Sequence, residues 1–175
     1  GGVKKTFTKK WSDVDRELLN EKSFGGQIKK KDFIKQKLDA EILETADVLS
    51  RANKIYHWIQ KHIKWNNFYG KYAQHGVEEA LKVNSGNIAD INLALIAALN
   101  AANIEAYPIL VSSRDNGLPH HLHPVISDFN YVIAALKIGD EIIQLDASDN
   151  ILPFGQLPLR AINGEGRIIY NKKSS

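Results

Sequence analysis

The sequence predicts an α+β domain, with helices in the first part of the chain and strands in the second. Three observations lead to this prediction. Up to about Asn103 the apolar residues recur with helical spacing, whereas beyond it β-rich segments alternate with turns. The run from Ile88 to Leu99 is apolar on almost every side, which indicates a buried central helix. The strands follow the helices instead of alternating with them, so we expect an antiparallel sheet.

The composition is that of a folded globular chain. It has 175 residues, of which 43% are hydrophobic and 25% charged, enough for one domain or a domain with an arm. No apolar run approaches the roughly 20 residues that a membrane-spanning helix needs. Cysteine is absent, which excludes disulfides, thiolate metal sites and a cysteine nucleophile. The chain begins with Gly1-Gly2 and no Met, so we expect it to derive from a longer protein.

The positive charge is concentrated near the start of the chain. Residues 1–40 carry 11 Lys and Arg against 6 Asp and Glu, whereas the other residues carry 12 against 14. We interpret residues 1–44 as a basic N-terminal helical arm and residues 45–175 as the main domain. No nucleic-acid-binding motif accompanies these charges, so we expect a solvated arm and no nucleic acid partner. Binding of a polyanion through this arm is a further hypothesis.

The helical elements can be placed in order along the first half. A short helix is predicted over residues 11–20, with Ser12 as its cap. From Asp32 a longer helical pattern begins, because Ile34, Leu38 and Ile42 lie four residues apart. A second apolar face extends from residue 52 to residue 63. Thr45 or Asp47 would cap this second helix if the two are separate.

The strands follow in the second half. Ala106–Val111 is rich in β-forming residues and precedes a turn. Tyr131–Ile138 and Glu141–Leu145 are joined by Gly139-Asp140, which is typical of a hairpin with a two-residue loop. A last β-rich piece spans residues 167–170.

Three histidines form the most conspicuous polar cluster. His120, His121 and His123 could supply ligands to zinc or copper. Neighbouring side chains point in different directions, however, and no carboxylate stands at a ligand-like spacing. Prolines on both sides indicate an exposed loop, so we expect no bound metal and no cofactor. The alternative hypothesis is a metal-assisted hydrolase that uses this loop together with Asp128.

Serine is the other nucleophile that the sequence offers. None of the serines lies in a nucleophile elbow such as Gly-x-Ser-x-Gly. Hydroxyl groups in turns mostly cap backbone groups, and this is the interpretation that we favour. The residues considered are Ser85, Ser112, Ser113 and Ser148.

Five segments carry a family resemblance, of which the first spans residues 85–90 together with the apolar run after them and the second spans residues 103–111. In this order they resemble bacterial transglutaminase-like domains, which belong to the superfamily of papain-like cysteine proteases. Ser85-Gly86-Asn87-Ile88-Ala89-Asp90, followed by the apolar helix, is similar to the Gly-Asp-Cys-x-Asp turn that opens the family's central helix. Asn103-Ile104-Glu105-Ala106-Tyr107-Pro108-Ile109-Leu110-Val111 is similar to its Gly-Ile-x-Ala-x-Pro-Val-Leu-Val strand. The resemblance therefore implies a papain-like core.

The remaining three segments occur in the family's order as well. Phe129-Asn130-Tyr131-Val132 is similar to the family's Phe-Asn-His-Val strand, and Leu145-Asp146-Ala147-Ser148 to its Leu-Asp-Ala-Thr. Residues 153–158 fit the segment that usually follows. The resemblance covers roughly residues 45 to 170.

The resemblance also assigns the positions of the family's catalytic triad. Its Cys falls on Ile88, its His on Tyr131 and its Asp on Asp146, so only the carboxylate is retained. Such a triad needs a thiolate and an imidazole that exchanges protons near neutral pH. Isoleucine has no nucleophilic atom, and tyrosine titrates near pH ~10. We expect Tyr131 to pack beside Ile88 and to form a hydrogen bond, with Asp146 as the candidate acceptor.

A function follows from this degenerate triad. The resemblance implies a catalytically inactive domain of a larger bacterial protein, with no catalytic residue and no cofactor. Its expected role is structural, or the binding of a peptide or a neighbouring domain in the residual cleft. Domains of this kind are commonly exported, so the resemblance also implies an extracytoplasmic location, periplasmic or secreted.

Overall fold

The computed structural model describes residues 13–117, 125–164 and 166–170, and these form the predicted α+β fold. The helices come first. They are α1 (residues 13–20), α2 (Gly25–Ile28), α3 (Lys31–Lys37), α4 (Ala40–Leu43), α5 (Val48–His62), α6 (Val77–Val83) and α7 (Ile88–Ala101).

The strands lie in the second half apart from one small pair. They are β1 (Lys64–Trp65), β2 (Ser85–Gly86), β3 (Ala106–Val111), β4 (Tyr131–Ile138), β5 (Glu141–Leu145) and β6 (Arg167–Ile168). Single 3₁₀ turns occur at Arg114–Asn116, Ile126–Asp128 and Leu159–Ala161.

The main sheet is antiparallel, as predicted, with the strand order β5-β4-β3-β6. The hairpin between β4 and β5 has the predicted bounds, and Gly139 in its turn has the left-handed φ of 59°. Side chains of β4 alternate between two cores. Val132, Ala134 and Leu136 face the main core. The alternate residues face a second apolar cluster, and these are Tyr131, Ile133 and Ala135.

Helix α7 is the buried central helix that the sequence predicts. All of its residues from Ile88 to Leu99 are buried, including Asp90 and Asn92. It packs against β3 and β4 of the sheet and against the helices α2, α3, α5 and α6. Within the described ranges, no helix has the length and apolar character needed to cross a membrane.

The prediction of one long helix through Ile34, Leu38 and Ile42 is wrong. The backbone is extended at Leu38 and at Asp39, so the segment forms the two short helices α3 and α4. All three apolar side chains are buried, as they would be on one face of a single helix. They nevertheless belong to two helices, since Ile34 lies in α3 and Ile42 in α4, and the spacing alone does not reveal the break between them. The next helix is separate, and the Asp47 side chain caps it by accepting from the backbone of Ser50.

Residues 13–44 contribute to the same core as the rest of the chain. Phe24 and Ile34 are fully buried in the cluster that contains α7. An ion pair of 2.8 Å joins Asp15 to Arg167, so α1 is also tied to β6. The division of the chain at residue 44 stays a prediction.

Candidate functional site

The site expected from the sequence lies where α7 begins. There β1 pairs in parallel with β2, directly before the helix. The loop after β1 returns to the same place, because the Ile88 amide donates to the Phe68 carbonyl at 3.2 Å and Gly70 forms a bridge with Tyr131. The first turn of α7 and the first residue of β4 are therefore held beside each other.

A capping box fixes the start of α7. The Asn87 side chain accepts from the Asp90 amide at 2.8 Å, and the Asp90 carboxylate accepts from the Asn87 amide at 2.9 Å. Asp90 also accepts from the amides of His75 and Gly76, at 3.0 and 2.9 Å from Oδ1. One buried carboxylate thus joins the helix to the segment before α6.

Ile88 occupies the position that the resemblance assigns to the nucleophile. It is fully buried in the second apolar cluster, which also contains Tyr131, Ile109 and Val111. Its side chain is aliphatic and offers no atom that could attack a carbonyl group. The structure therefore brings Ile88 and Tyr131 together as packing partners.

Tyr131 donates a short hydrogen bond to Asp146, with 2.5 Å between the hydroxyl oxygen and Oδ2. Both residues are fully buried. Burial, followed by the negative charge of Asp146 and this hydrogen bond, raises the pKa of Tyr131 well above its usual value. The phenol consequently keeps its proton at neutral pH and cannot act as a general base.

The other oxygen of Asp146 is occupied as well. Oδ1 accepts from the Asn92 side chain at 2.9 Å and from the Ser148 amide at 3.0 Å. Asn92 in addition donates to the Val132 carbonyl and accepts from the Ala147 amide, at 2.9 and 3.0 Å. This side chain therefore connects α7, β4 and the segment after β5.

Sequence reasoning missed Asn92, although one signal was available. It is the only amide side chain in the apolar run from Ile88 to Leu99. A polar group on a helix that is buried all round needs hydrogen-bond partners in the core. Such a residue marks the place where a second element approaches the helix.

A layer of aromatic and cationic groups covers this network. The Trp65 and Tyr69 rings are stacked, with 5.7 Å between their centroids and an interplanar angle of 6°. Tyr69 meets Tyr131 edge-on at 5.6 Å. Arg160 lies over Trp65, with its guanidinium carbon 4.1 Å from the ring centroid, and its Nη2 donates to the Ser148 hydroxyl at 2.6 Å.

A cleft opens beside this layer. Its cavity measures about 270 Å³, and Ser148, which lines it, has its hydroxyl 3.3 Å from that of Tyr131. The cleft and the buried network therefore share one residue. The lining residues are Ile63, Lys64, Trp65, Ser148, Asp149, Asn150 and Arg160.

The predicted metal-binding loop lies outside the described residues, since His120, His121 and His123 fall in the gap between residues 117 and 125. In the part of the chain that is described, no group of three or more metal-ligating side chains occurs. Asp128 accepts from the Val125 amide at 2.8 Å through Oδ2. The metal-hydrolase hypothesis remains untested by these contacts.

Solved structures with a similar fold come from at least two organisms. One is described as a "putative cysteine protease" from Cytophaga hutchinsonii, with a TM-score of 0.52 and 17% sequence identity over 82% of this chain. Another is described as a "putative protease" from Parabacteroides distasonis, with a TM-score of 0.53 and 16% identity over 77% of this chain. The chain shares the fold of these proteins. Protease-like neighbours fit the papain-like core that the sequence predicts.

The similarity is limited to the fold. The chain spans 43% of the Cytophaga protein and 25% of the Parabacteroides protein, so both contain much that has no counterpart here. No family model matches the chain, and no curated protein does. Because one fold supports many activities, function has to be argued from the site.

Proposed function

We propose that the chain is a transglutaminase-like domain without catalytic activity, which serves as a binding or structural module of a larger bacterial protein. The observation that carries this proposal is the buried hydrogen bond between Tyr131 and Asp146, beside the aliphatic Ile88. We also propose an extracytoplasmic location, on the sole ground that domains of the family that the sequence resembles are commonly exported.

The nucleophile is the first missing part. Acyl transfer by a papain-like site needs a thiolate at the start of the central helix, where the helix N-terminus stabilises negative charge. The chain contains no cysteine, and Ile88 stands at this place. Burying an Ile side chain contributes roughly 1.5–3 kcal/mol, so we interpret the substitution as packing.

The base is the second missing part. An imidazole at position 131 would accept the nucleophile's proton and be oriented by the carboxylate. Tyr131 instead donates a hydrogen bond to Asp146, and its raised pKa keeps it protonated. Asn92 and the Ser148 amide take the second carboxylate oxygen. The retained aspartate thus organises the core in our proposal.

The cleft supports a binding role. It lies beside the buried network, with which it shares Ser148, and is lined by both apolar and charged side chains. A papain-like cleft that no longer cleaves or transfers can still hold a peptide or a neighbouring domain. No metal or cofactor enters the proposal.

Alkylation of an introduced thiol tests the proposal. We expect Ile88→Cys to react slowly with iodoacetamide at neutral pH, because its apolar surroundings raise the pKa of a thiol. Adding Tyr131→His supplies the missing base beside Asp146 and should raise the rate by about tenfold or more, in line with what a positioned base contributes. Asn53→Cys, at an exposed position in the interior of α5, gives the rate of an unrestricted thiol.

The degenerate triad and the loss of catalysis can be contradicted by different results. Equal alkylation rates in the single and double variants, both folded by circular dichroism, would argue against a degenerate triad at these positions. Acyl transfer or peptide hydrolysis by the unaltered chain, abolished by Asp146→Asn, would contradict the loss of catalysis.

A further inference from the structure

We propose that Arg160 is the recognition residue of the cleft and that it binds the terminal carboxylate of a peptide. This inference rests on the binding role proposed above and assigns it a ligand chemistry. It concerns residues that the degenerate triad does not include.

The guanidinium of Arg160 is held in one orientation. Its Nη2 donates to the Ser148 hydroxyl at 2.6 Å, and Ser148 is itself only 6% exposed. Its guanidinium carbon lies 4.1 Å from the centroid of the Trp65 ring, and that ring is itself stacked with Tyr69. A cation fixed by stacking and by a neutral hydroxyl is pre-organised for an anion, because little entropy is lost when the anion binds.

Among the described residues, Arg160 is not paired directly with a carboxylate, and only Ser148 and Tyr131 link it to the buried Asp146. No Asp or Glu in residues 13–117, 125–164 and 166–170 forms an ion pair with it, and its buried Nε has no acceptor there. Lys64 adds a second positive charge to the lining, against the single carboxylate of Asp149. A half-buried guanidinium of this kind favours a ligand that brings its own negative charge.

The size and the walls of the cleft favour the end of a peptide. A cavity of about 270 Å³ is smaller than the roughly 300–1,000 Å³ of typical small-molecule sites, so it suits one or two residues. A carboxylate matches the planar fork of a guanidinium, and the partly exposed Trp65 offers apolar contact to the last side chain. A free carboxylic acid would present the same group without the preceding peptide.

An NMR titration of the whole ¹⁵N-labelled chain tests this inference. The probes are acetyl-Ala-Ala-Leu with a free C-terminus, the same peptide as its C-terminal amide, and N-acetyl-leucine. We expect the free acid to shift the Trp65 indole and Arg160 Nε–H signals in a saturable way. The amide should bind more weakly by about tenfold or more, because it removes the charge that the guanidinium pairs with. Stronger binding of the tripeptide than of N-acetyl-leucine would identify a peptide end as the ligand.

Variants separate Arg160 from general charge effects. Arg160→Gln should weaken binding of the free acid by about tenfold or more, whereas Arg114→Gln removes the same charge from an exposed turn and should leave the affinity unchanged.

Either of two results would overturn the inference. The first is equal binding of acid and amide by the unaltered chain, a comparison that needs no variant to fold. The second is an unchanged affinity in folded Arg160→Gln. Neither result bears on the loss of catalysis, because the alkylation rates are measured at Ile88 and Tyr131.

Discussion

Tyr131 donates a fully buried hydrogen bond to Asp146. The contribution of this bond to stability can be measured by removing the tyrosine hydroxyl. Tyr131→Phe keeps the ring but leaves Oδ2 of Asp146 without its short hydrogen bond. We expect a loss of about 1–3 kcal/mol in the free energy of unfolding, measured with urea.

The matched control at this scale is Tyr69→Phe. Its hydroxyl donates to Asp115 at 3.2 Å on the surface, where water can replace the lost partner. We expect a change within about 0.5 kcal/mol. A Tyr131→Phe variant as stable as this control would show that the buried contact contributes nothing.

Because the Tyr131 hydroxyl is buried, the free energy of unfolding should depend on pH in the alkaline range. Burial and the charge of Asp146 raise the pKa of Tyr131 in the folded state, whereas an unfolded tyrosine titrates near pH ~10. The contribution of Tyr131 is therefore fully present below pH ~10 and is lost as the pH rises above it, because the unfolded chain releases the proton first. Urea unfolding between neutral and alkaline pH should show a shallower decline for Tyr131→Phe than for the unaltered chain. Parallel curves would contradict this. Tyr56, whose pKa is also raised mainly by burial, contributes equally to both curves.

At the scale of elements, the approach of β2 to α7 depends on a residue without a side chain. A Cβ at Gly86 would lie 2.5 Å from Cβ and 2.9 Å from Oδ2 of Asp90, the carboxylate that closes the capping box. Gly86→Ala must displace this carboxylate or the strand. We expect a loss of roughly 1–3 kcal/mol in the free energy of unfolding, as for other overpacked cores.

Gly26→Ala in α2 is the control for that substitution. Its Cβ would meet nothing closer than 3.4 Å, and alanine suits a helix better than glycine. We expect this variant to be as stable as the unaltered chain or more stable by up to about 1 kcal/mol. Equal effects of the two substitutions would mean that Gly86 is not required for the close approach.

Secondary-structure elements that have a clear pattern in the local sequence could be predicted. Elements that form only through contacts between distant parts of the chain could not. The β4–β5 hairpin follows from its two β-rich segments and the Gly139-Asp140 loop between them, and α7 follows from its apolar run. The break at Leu38 carries no glycine or proline, so the sequence offers no local reason for it. The pair β1–β2 is too short to give a pattern, because each strand has two residues and they are distant in the chain.

For the whole molecule, part of the site could also be predicted. The contact between Tyr131 and Asp146 was expected from the order of the five segments, and the structure has it. Arg160 and Trp65 could not be foreseen, because they come from a 3₁₀ turn and a two-residue strand about a hundred residues apart in the chain. Only the fold brings them to one cleft. The assignment of Ile88, Tyr131 and Asp146 to a former triad stays a prediction.

The histidines allow a test of the competing hypothesis for the molecule. We expect tag-free protein, purified without chelators, to contain no stoichiometric zinc or copper, because the spacing of His120, His121 and His123 does not suit one tetrahedral site. Elemental analysis measures this directly. Stoichiometric zinc that is lost when His121 and His123 are replaced would favour the metal-assisted hydrolase.

The central claim is that the positions of a catalytic triad now form part of the core, and the stability of one variant tests it most directly. Ile88→Cys combined with Tyr131→His removes apolar volume and the short hydrogen bond together. We expect its free energy of unfolding in urea to fall by roughly 2–4 kcal/mol relative to the unaltered chain, within the margin of a folded domain. A folded double variant with unchanged or greater stability would contradict the claim, because Ile88 and Tyr131 would then not be stabilising the core.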